Sequence, residues 1–252
     1  MRNKKIGIVL SGGGARGFAH LGVLKALDEK GIRPDIISGV SAGSIVGSFI
    51  AAGKNAEEVM EIMNESDIFD YARVTIPRHG LMSLKNLKKN LQKHLGIRKF
   101  SDLKIPLFVA ASNLYTGGIK YFHKGDLIRI VQASSSIPVL FSPLKIDGDL
   151  YVDGGLLDNL PVEPLRDKCD TIIAINLMPV EEINNLDNLI EVALRTFQLS
   201  INRDYKKVEN EVDVFIEPEG LEKYQILNTK YAEEIFELGY NYCKKNIDPL
   251  DL

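Results

Sequence analysis

The sequence is poor in the features that mark several protein classes. It has no tryptophan and two cysteines, Cys169 and Cys243, among 252 residues. Two thiols are too few for a disulfide framework, and neither sits in a Cys-x-x-Cys or Cys/His spacing that would hold a metal. Reduced thiols in a cytosolic protein are the expectation. Neither charge dominates. The chain carries 31 lysines and arginines against 34 acids, a net charge of -3, which gives no general reason to expect nucleic acid as a partner. Long hydrophobic runs are missing too. The start Met1-Arg2-Asn3-Lys4-Lys5 has the charge of a leader, but the apolar stretch Ile6-Gly7-Ile8-Val9-Leu10 ends at Ser11 and a glycine triplet. That is too short for a leader core, and no other run reaches membrane-spanning length, so a cytoplasmic protein is expected.

What is present is an ordinary globular balance, 45% hydrophobic and 26% charged, in a chain long enough to bury one substantial core. A short Ile/Val/Leu strand at 5–11 runs into Gly12-Gly13-Gly14. A helix follows to Lys30, with Phe18, Leu21, Leu24 and Leu27 at helical spacing. Strand 35–40 and a small-residue helix 42–52 repeat the unit. This alternation predicts an α/β fold of three layers, α/β/α, with a mostly parallel central sheet in a single domain over 1–252. Further helices are expected at 55–65, 83–95, 125–134, 186–203 and 230–245. Strands are expected at 106–113 and 118–122 as a hairpin, at 144–152 as a pair turning at Asp147-Gly148, and at 170–177 and 211–216.

Three motifs carry chemistry. Gly12-Gly13-Gly14-Ala15-Arg16-Gly17 lies between a strand and a helix, where bare backbone N–H groups suit a phosphate or an oxyanion equally well. A dinucleotide site would need an acid at the end of the second strand. That strand ends instead in Ser38-Gly39-Val40-Ser41, and Asp35 lies at its beginning. The second motif, Gly39-Val40-Ser41-Ala42-Gly43, is a G-x-S-x-G at a strand-to-helix junction, the form of a nucleophile elbow; a helix start capped by Ser41 is the plainer alternative. A serine needs a base, and the four histidines, His20, His79, His94 and His123, all fall at or before residue 123. None occupies the late position of an α/β-hydrolase histidine. His20 reads as a packing or polar-support residue and His123, at a strand end, as a candidate base. The third motif, Tyr151-Val152-Asp153-Gly154-Gly155, supplies another candidate. A carboxylate is a poor base for an alcohol unless it is buried, sparingly solvated and in contact with the hydroxyl.

Together these motifs resemble the patatin-like phospholipase family, in particular bacterial members similar to the catalytic domains of neuropathy target esterases. The elements are GGGARG at 12–17 leading into GFAHLGVLKAL, GVSAGS at 39–44, ASSSIPVLFSP at 133–143 and YVDGG at 151–155. The resemblance runs from about residue 5 to 178. It implies a serine acyl-ester hydrolase with Ser41 as nucleophile and Asp153 as base. It further implies an oxyanion hole from the backbone of Gly12, Gly13 and Gly14, with Ala42 N–H as an extra donor. Arg16 would orient the glycine loop or meet substrate phosphate. Catalysis in the family needs no metal, and no cofactor is expected; substrates are phospholipids, lysophospholipids or other acyl esters. A phosphate-binding module on the glycine loop and an acyltransferase using the same acyl-enzyme are the alternatives.

Three segments remain. Residues 85–104 hold Lys85, Lys88, Lys89, Lys93, Arg98, Lys99 and Lys104 against Asp102 alone, a candidate for peripheral contact with an anionic membrane surface or simply a solvated helix face. The stretch 66–82, with Phe69, Tyr71, Leu81 and Met82, is a candidate lid or acyl-chain wall, or an irregular segment packed in the core. Helix 186–203, with Leu189, Val192, Phe197 and Ile201, is expected to pack in the core.

Overall fold

Strands buried on both faces lose the alternation of a half-exposed strand and read as continuous apolar runs. β1 (Ile6–Leu10) and β7 (Thr171–Ile175) are such runs, and they lie side by side at the centre of the sheet. The computed structural model describes residues 4–66, 84–179, 182, 185–201 and 208–248. Its sheet also holds β2 (Ile36–Gly39), β3 (Leu107–Asn113), β4 (Ile119–Phe122), β5 (Leu144–Ile146), β6 (Asp149–Asp153) and β8 (Val214–Ile216). β8, β7, β1, β2 and β3 are joined by parallel pairings; β4, β6 and β5 add antiparallel ones.

The helices whose bounds lie within the described residues and that flank the sheet are α1 (Phe18–Glu29), α2 (Ala42–Ala51), α3 (Ala56–Ser66), α4 (Lys85–His94), α5 (Leu127–Ser134), α6 (Leu189–Ile201) and α7 (Ala232–Asn246). α1 and α2 are buried almost all round, as the crossover helices of a parallel sheet must be. The expected α/β/α arrangement with a mostly parallel sheet is therefore present. The strand expected at 211–216 is shorter, starting at Val214; Asp213 just before it donates its N–H to Ile172 O at 3.1 Å and accepts the Ile172 N–H on its carboxylate at 2.7 Å. The turn of the β5–β6 pair is at Asp147-Gly148, where both residues have positive φ, 50° and 95°, the geometry of a tight hairpin turn.

One detail of the topology positions the site. At Val109, β3 pairs with Gly39 of β2 and with Phe122 of β4; at Ala111 it pairs with Asp153 of β6 and with Lys120 of β4. A strand has two edges, so β2 and β6 share one edge of β3 and approach end to end from opposite directions. Along β3 only Ala110 separates the last β2 pair from the last β6 pair.

Candidate active site

Ser41 follows β2 and starts α2 with φ 50° and ψ -122°. A side-chain-bearing residue at positive φ is strained by about 1–2 kcal/mol and persists only where its surroundings dictate it. They do so here through two glycines. A Cβ on Gly43 would lie 2.2 Å from the Leu10 carbonyl oxygen, and one on Gly39 would lie 2.7 Å from the Gly43 oxygen. The first turn of α2 is thus pressed against the end of β1, and the chain between must bend sharply at Ser41. The Val40 N–H donates to Leu10 O at 3.1 Å. The Ser41 N–H donates to Ser134 Oγ at 2.9 Å, and that hydroxyl donates to Ala110 O at 2.6 Å. The elbow is therefore tied to β1, to the end of α5 and to β3.

Asp153 comes in along the shared edge. Its N–H donates to Ser136 O at 2.9 Å, and the carboxyl Oδ1 accepts the Gly155 N–H at 2.8 Å. Oδ2 is buried without a hydrogen bond of good geometry, although the Ser41 hydroxyl is near enough to pull the carboxyl's pKa down. Burial acts the other way and wins. With Asp153 1% exposed, desolvation outweighs the Ser41 and Gly155 contributions and raises its pKa from 3.8 to about 7.

The glycine loop closes the third side. Gly14 has φ 55°, and Ala15 donates its N–H to Ile226 O at 2.8 Å. Gly12 packs beside Ser41, but its N–H is committed to Asn159 Oδ1 at 3.1 Å. The N–H groups of Gly13, Gly14 and Ala42 take no acceptor from the rest of the described chain. Arg16 is 4% exposed and gives its guanidinium to the carbonyls of Tyr224, Leu177 and Glu222 at 2.9, 3.3 and 3.3 Å. It ties the glycine loop to two other segments.

His20 is fully buried, with Nε2 2.9 Å from the Ser11 carbonyl. A carbonyl only accepts, so Nε2 carries the proton, and burial lowers the ring's pKa to about 4. His20 is a neutral donor holding the strand end. His94 and His123 line no part of the cavity around Ser41 and Asp153, and His79 lies outside the described residues. Among the described residues no three His, Cys, Asp or Glu side chains gather as a metal site would require.

The cavity between Ser41, Asp153 and the glycine loop has a volume of about 10 Å³, room for one water at most. Ile137, Met178, Phe197, Ile201 and Ile226 close it. The expectation for α6 holds in part: Ile201 is buried and Phe197 packs against core residues, whereas Leu189 is 86% exposed and Val192 41%. The helix covers the site with one face and leaves apolar side chains outside. The candidate lid at 66–82 falls on residues outside the described set, apart from Ser66, which ends α3. Two polar residues were not singled out from the sequence, Asn159 and Ser134. Asn159 stands just after the Asp-Gly-Gly turn in front of Leu160-Pro161-Val162, and a lone amide before a buried apolar run was the available signal.

Comparison with known proteins accords with this geometry. A family model described as patatin-like phospholipase matches residues 8–166. Lysophospholipase NTE1 of Saccharomyces cerevisiae is 28% identical over 275 residues; the alignment takes in 96% of this chain and 16% of that protein. The Mycobacterium bovis protein described as an uncharacterized NTE family protein, Mb1092c, is 32% identical over 176 residues, 69% of this chain and 49% of the relative. The chain thus spans less than half the length of these relatives. Among solved structures, VipD from Legionella pneumophila superposes with a TM-score of 0.57 at 17% identity, covering 95% of this chain and 66% of that one; at that identity the likeness concerns the fold alone.

Proposed function

The chain belongs to the patatin-like phospholipase family, and on that premise we propose that it is a serine acyl-ester hydrolase acting on phospholipid, lysophospholipid or other lipid esters. The observation that carries this reading is the meeting of Ser41, strained at its elbow, with a buried Asp153 whose pKa is raised to about 7.

In the proposed reaction Ser41 Oγ attacks the ester carbonyl carbon and its proton passes to Asp153 Oδ2. The developing oxyanion is received by the free N–H groups of Gly13 and Gly14, with Ala42 beside them, where fixed donors in a dry cleft stabilise charge strongly. Gly12 supports this hole without joining it, because its N–H is taken by Asn159. The tetrahedral intermediate collapses, the alcohol leaves with the proton from Asp153, and an acyl group remains on Ser41. A water molecule, losing its proton to Asp153, attacks the acyl carbon; the second tetrahedral intermediate collapses, Ser41 Oγ takes the proton back from Asp153, and the fatty acid is released. The apolar side chains of Ile137, Met178, Phe197 and Ile226 would face the acyl chain.

A base that must be ionised to act gives a rate that rises with pH through its pKa. Hydrolysis of a neutral, soluble ester is therefore expected to increase in kcat/KM through a midpoint near 7. The direct test is reaction with a long-chain alkyl fluorophosphonate, with the adduct located by peptide mass spectrometry. The expected adduct is on Ser41, severely slowed in Asp153→Asn. A folded protein that gives no Ser41 adduct, even with detergent present, would sink the mechanism and return the glycine loop to phosphate binding.

A further inference from the structure

The basic excess that the sequence shows over 85–104 is only part of a larger one. Between Leu84 and Ile146 there are eleven lysines and arginines and two acids, Asp102 and Asp126. The rest of the chain holds 20 against 32, so the positive charge is gathered into one portion of an otherwise acidic protein. The fold concentrates it further. Two adjoining cavities of about 400 and 450 Å³ share Lys124, Gly125 and Asp126 as their common rim. The first is lined by Lys120, His123, Arg129 and Lys145, the second by Arg98 and Lys99.

The backbone holds the two together: Leu127 donates its N–H to Arg98 O at 2.8 Å, and Lys99 pairs with Asp126 in an isolated bridge. None of the six cations is in an ion pair among the described residues. The two acids that reach the cavities do not neutralise them. Asp126 caps α5, accepting the Arg129 N–H at 3.0 Å, and Asp147 sits in the β5–β6 turn. Two of the cations are held in place in advance. Lys120 Nζ lies 4.6 Å from the Phe122 ring centre and 5.6 Å from that of Tyr151, and Arg129 donates Nη2 to the Lys145 carbonyl. A guanidinium so anchored keeps other N–H donors for a second acceptor, and such forks match phosphate oxygens.

We propose that this basin is a binding site for a phosphate-bearing anion, either the headgroup of an anionic lipid or a soluble phosphate compound. It is separate from the catalytic cavity. α5 begins at the basin and ends at Ser134, which holds the Ser41 N–H, so its eight residues put about 12 Å between the two sites. Six unpaired cations around a concave surface repel one another, and that cost is relieved when a multiply charged anion occupies it.

Binding is measured without reference to turnover, on Ser41→Ala as well as the native chain, so its outcome is independent of the hydrolase reading. The probes are inorganic pyrophosphate in titration calorimetry and flotation on phosphatidylcholine vesicles with or without phosphatidylglycerol. Pyrophosphate binding identifies a soluble phosphate compound as the ligand; anion-dependent flotation without pyrophosphate binding identifies the lipid headgroup. In either case Lys124→Glu with Lys145→Glu, both exposed, should weaken binding by about tenfold or more. Lys230→Glu with Lys245→Glu makes the same change of charge elsewhere and should alter binding by less than about twofold. Thermal unfolding checks that both pairs fold. Absence of binding to both probes at low ionic strength, or equal weakening by the two pairs, would overturn the proposal.

Discussion

The floor of the catalytic cavity and its roof are built differently. In the floor, backbone touches backbone. A side-chain carbon on Gly43 would lie 2.2 Å from Leu10 O, on Gly154 2.4 Å from Ala110 O, and on Gly14 2.1 Å from Ile226 O. In the roof, the contacts are side chain on side chain: Phe197 and Ile201 of α6 rest over Ser41 while Leu189 of the same helix stands in solvent. Backbone contacts fix positions to a fraction of an ångström, as oriented catalytic groups require. A half-buried helix with exposed apolar side chains is held by less burial and can be displaced at smaller cost. Under the proposed hydrolase reading, the difference would separate a part that must be rigid for chemistry from a part that must admit a substrate.

That contrast can be broken experimentally. The largest effect belongs to the dyad. Ser41→Ala should abolish turnover, and Asp153→Asn should reduce kcat by about 10²–10⁴-fold in a hydrolysis assay. Asp153→Asn should also separate stability from activity. Because Asp153 ionises at about 7 in the fold and 3.8 ordinarily, the unfolded chain releases this proton first as pH rises. Asp153 therefore opposes folding increasingly between those two values, after which the cost is constant. Melting temperatures at about pH 5 and about pH 8 should show a loss at the higher pH that Asp153→Asn lacks; an identical loss in both would mean that the carboxyl is not held protonated.

Next comes the floor itself. Gly43→Ala places its methyl into Leu10 O and should cost about 3 kcal/mol or more in denaturant unfolding, whereas a well-folded variant would show that α2 can slide outward. A smaller effect is expected from Asn159→Ala, which strands the Gly12 N–H. It should lower kcat about tenfold with little change in KM, and a change in KM alone would place Asn159 in substrate binding instead. The smallest concerns the roof. Phe197→Ala should leave the dyad intact, lower stability by about 1–2 kcal/mol, and raise turnover of a small soluble ester a few-fold. A loss of turnover as large as that of Asn159→Ala would make Phe197 part of the floor.

Much of this was legible in residues close together in the chain. The strand–glycine–helix start, the elbow and the Asp-Gly-Gly turn are local motifs, because each rests on what a few consecutive φ and ψ angles allow. Helical periodicity likewise marked α1. The reading of α6 as core held for Phe197 and Ile201 but not for Leu189 and Val192, because all four are apolar whether a helix is enclosed or lies across an opening, and periodicity does not distinguish the two. Asn159 was passed over because its partner, Gly12, is 147 positions away. The basic basin was seen only in its first half, since Lys120, Lys124, Arg129 and Lys145 are scattered along the chain and joined by the turn before α5 and by the β5–β6 pair.

The sequence alone determined the class of fold, the positions of the turns and the identity of Ser41 and Asp153 as candidates, because those depend on backbone freedom and short-range patterning. Tertiary structure decided that they meet. β2 and β6 share one edge of β3, and nothing local to either strand specifies that pairing. It also decided the state of the carboxyl: a pKa near 7 comes from the water that neighbouring elements exclude, and exclusion is a property of packing rather than of any residue by itself.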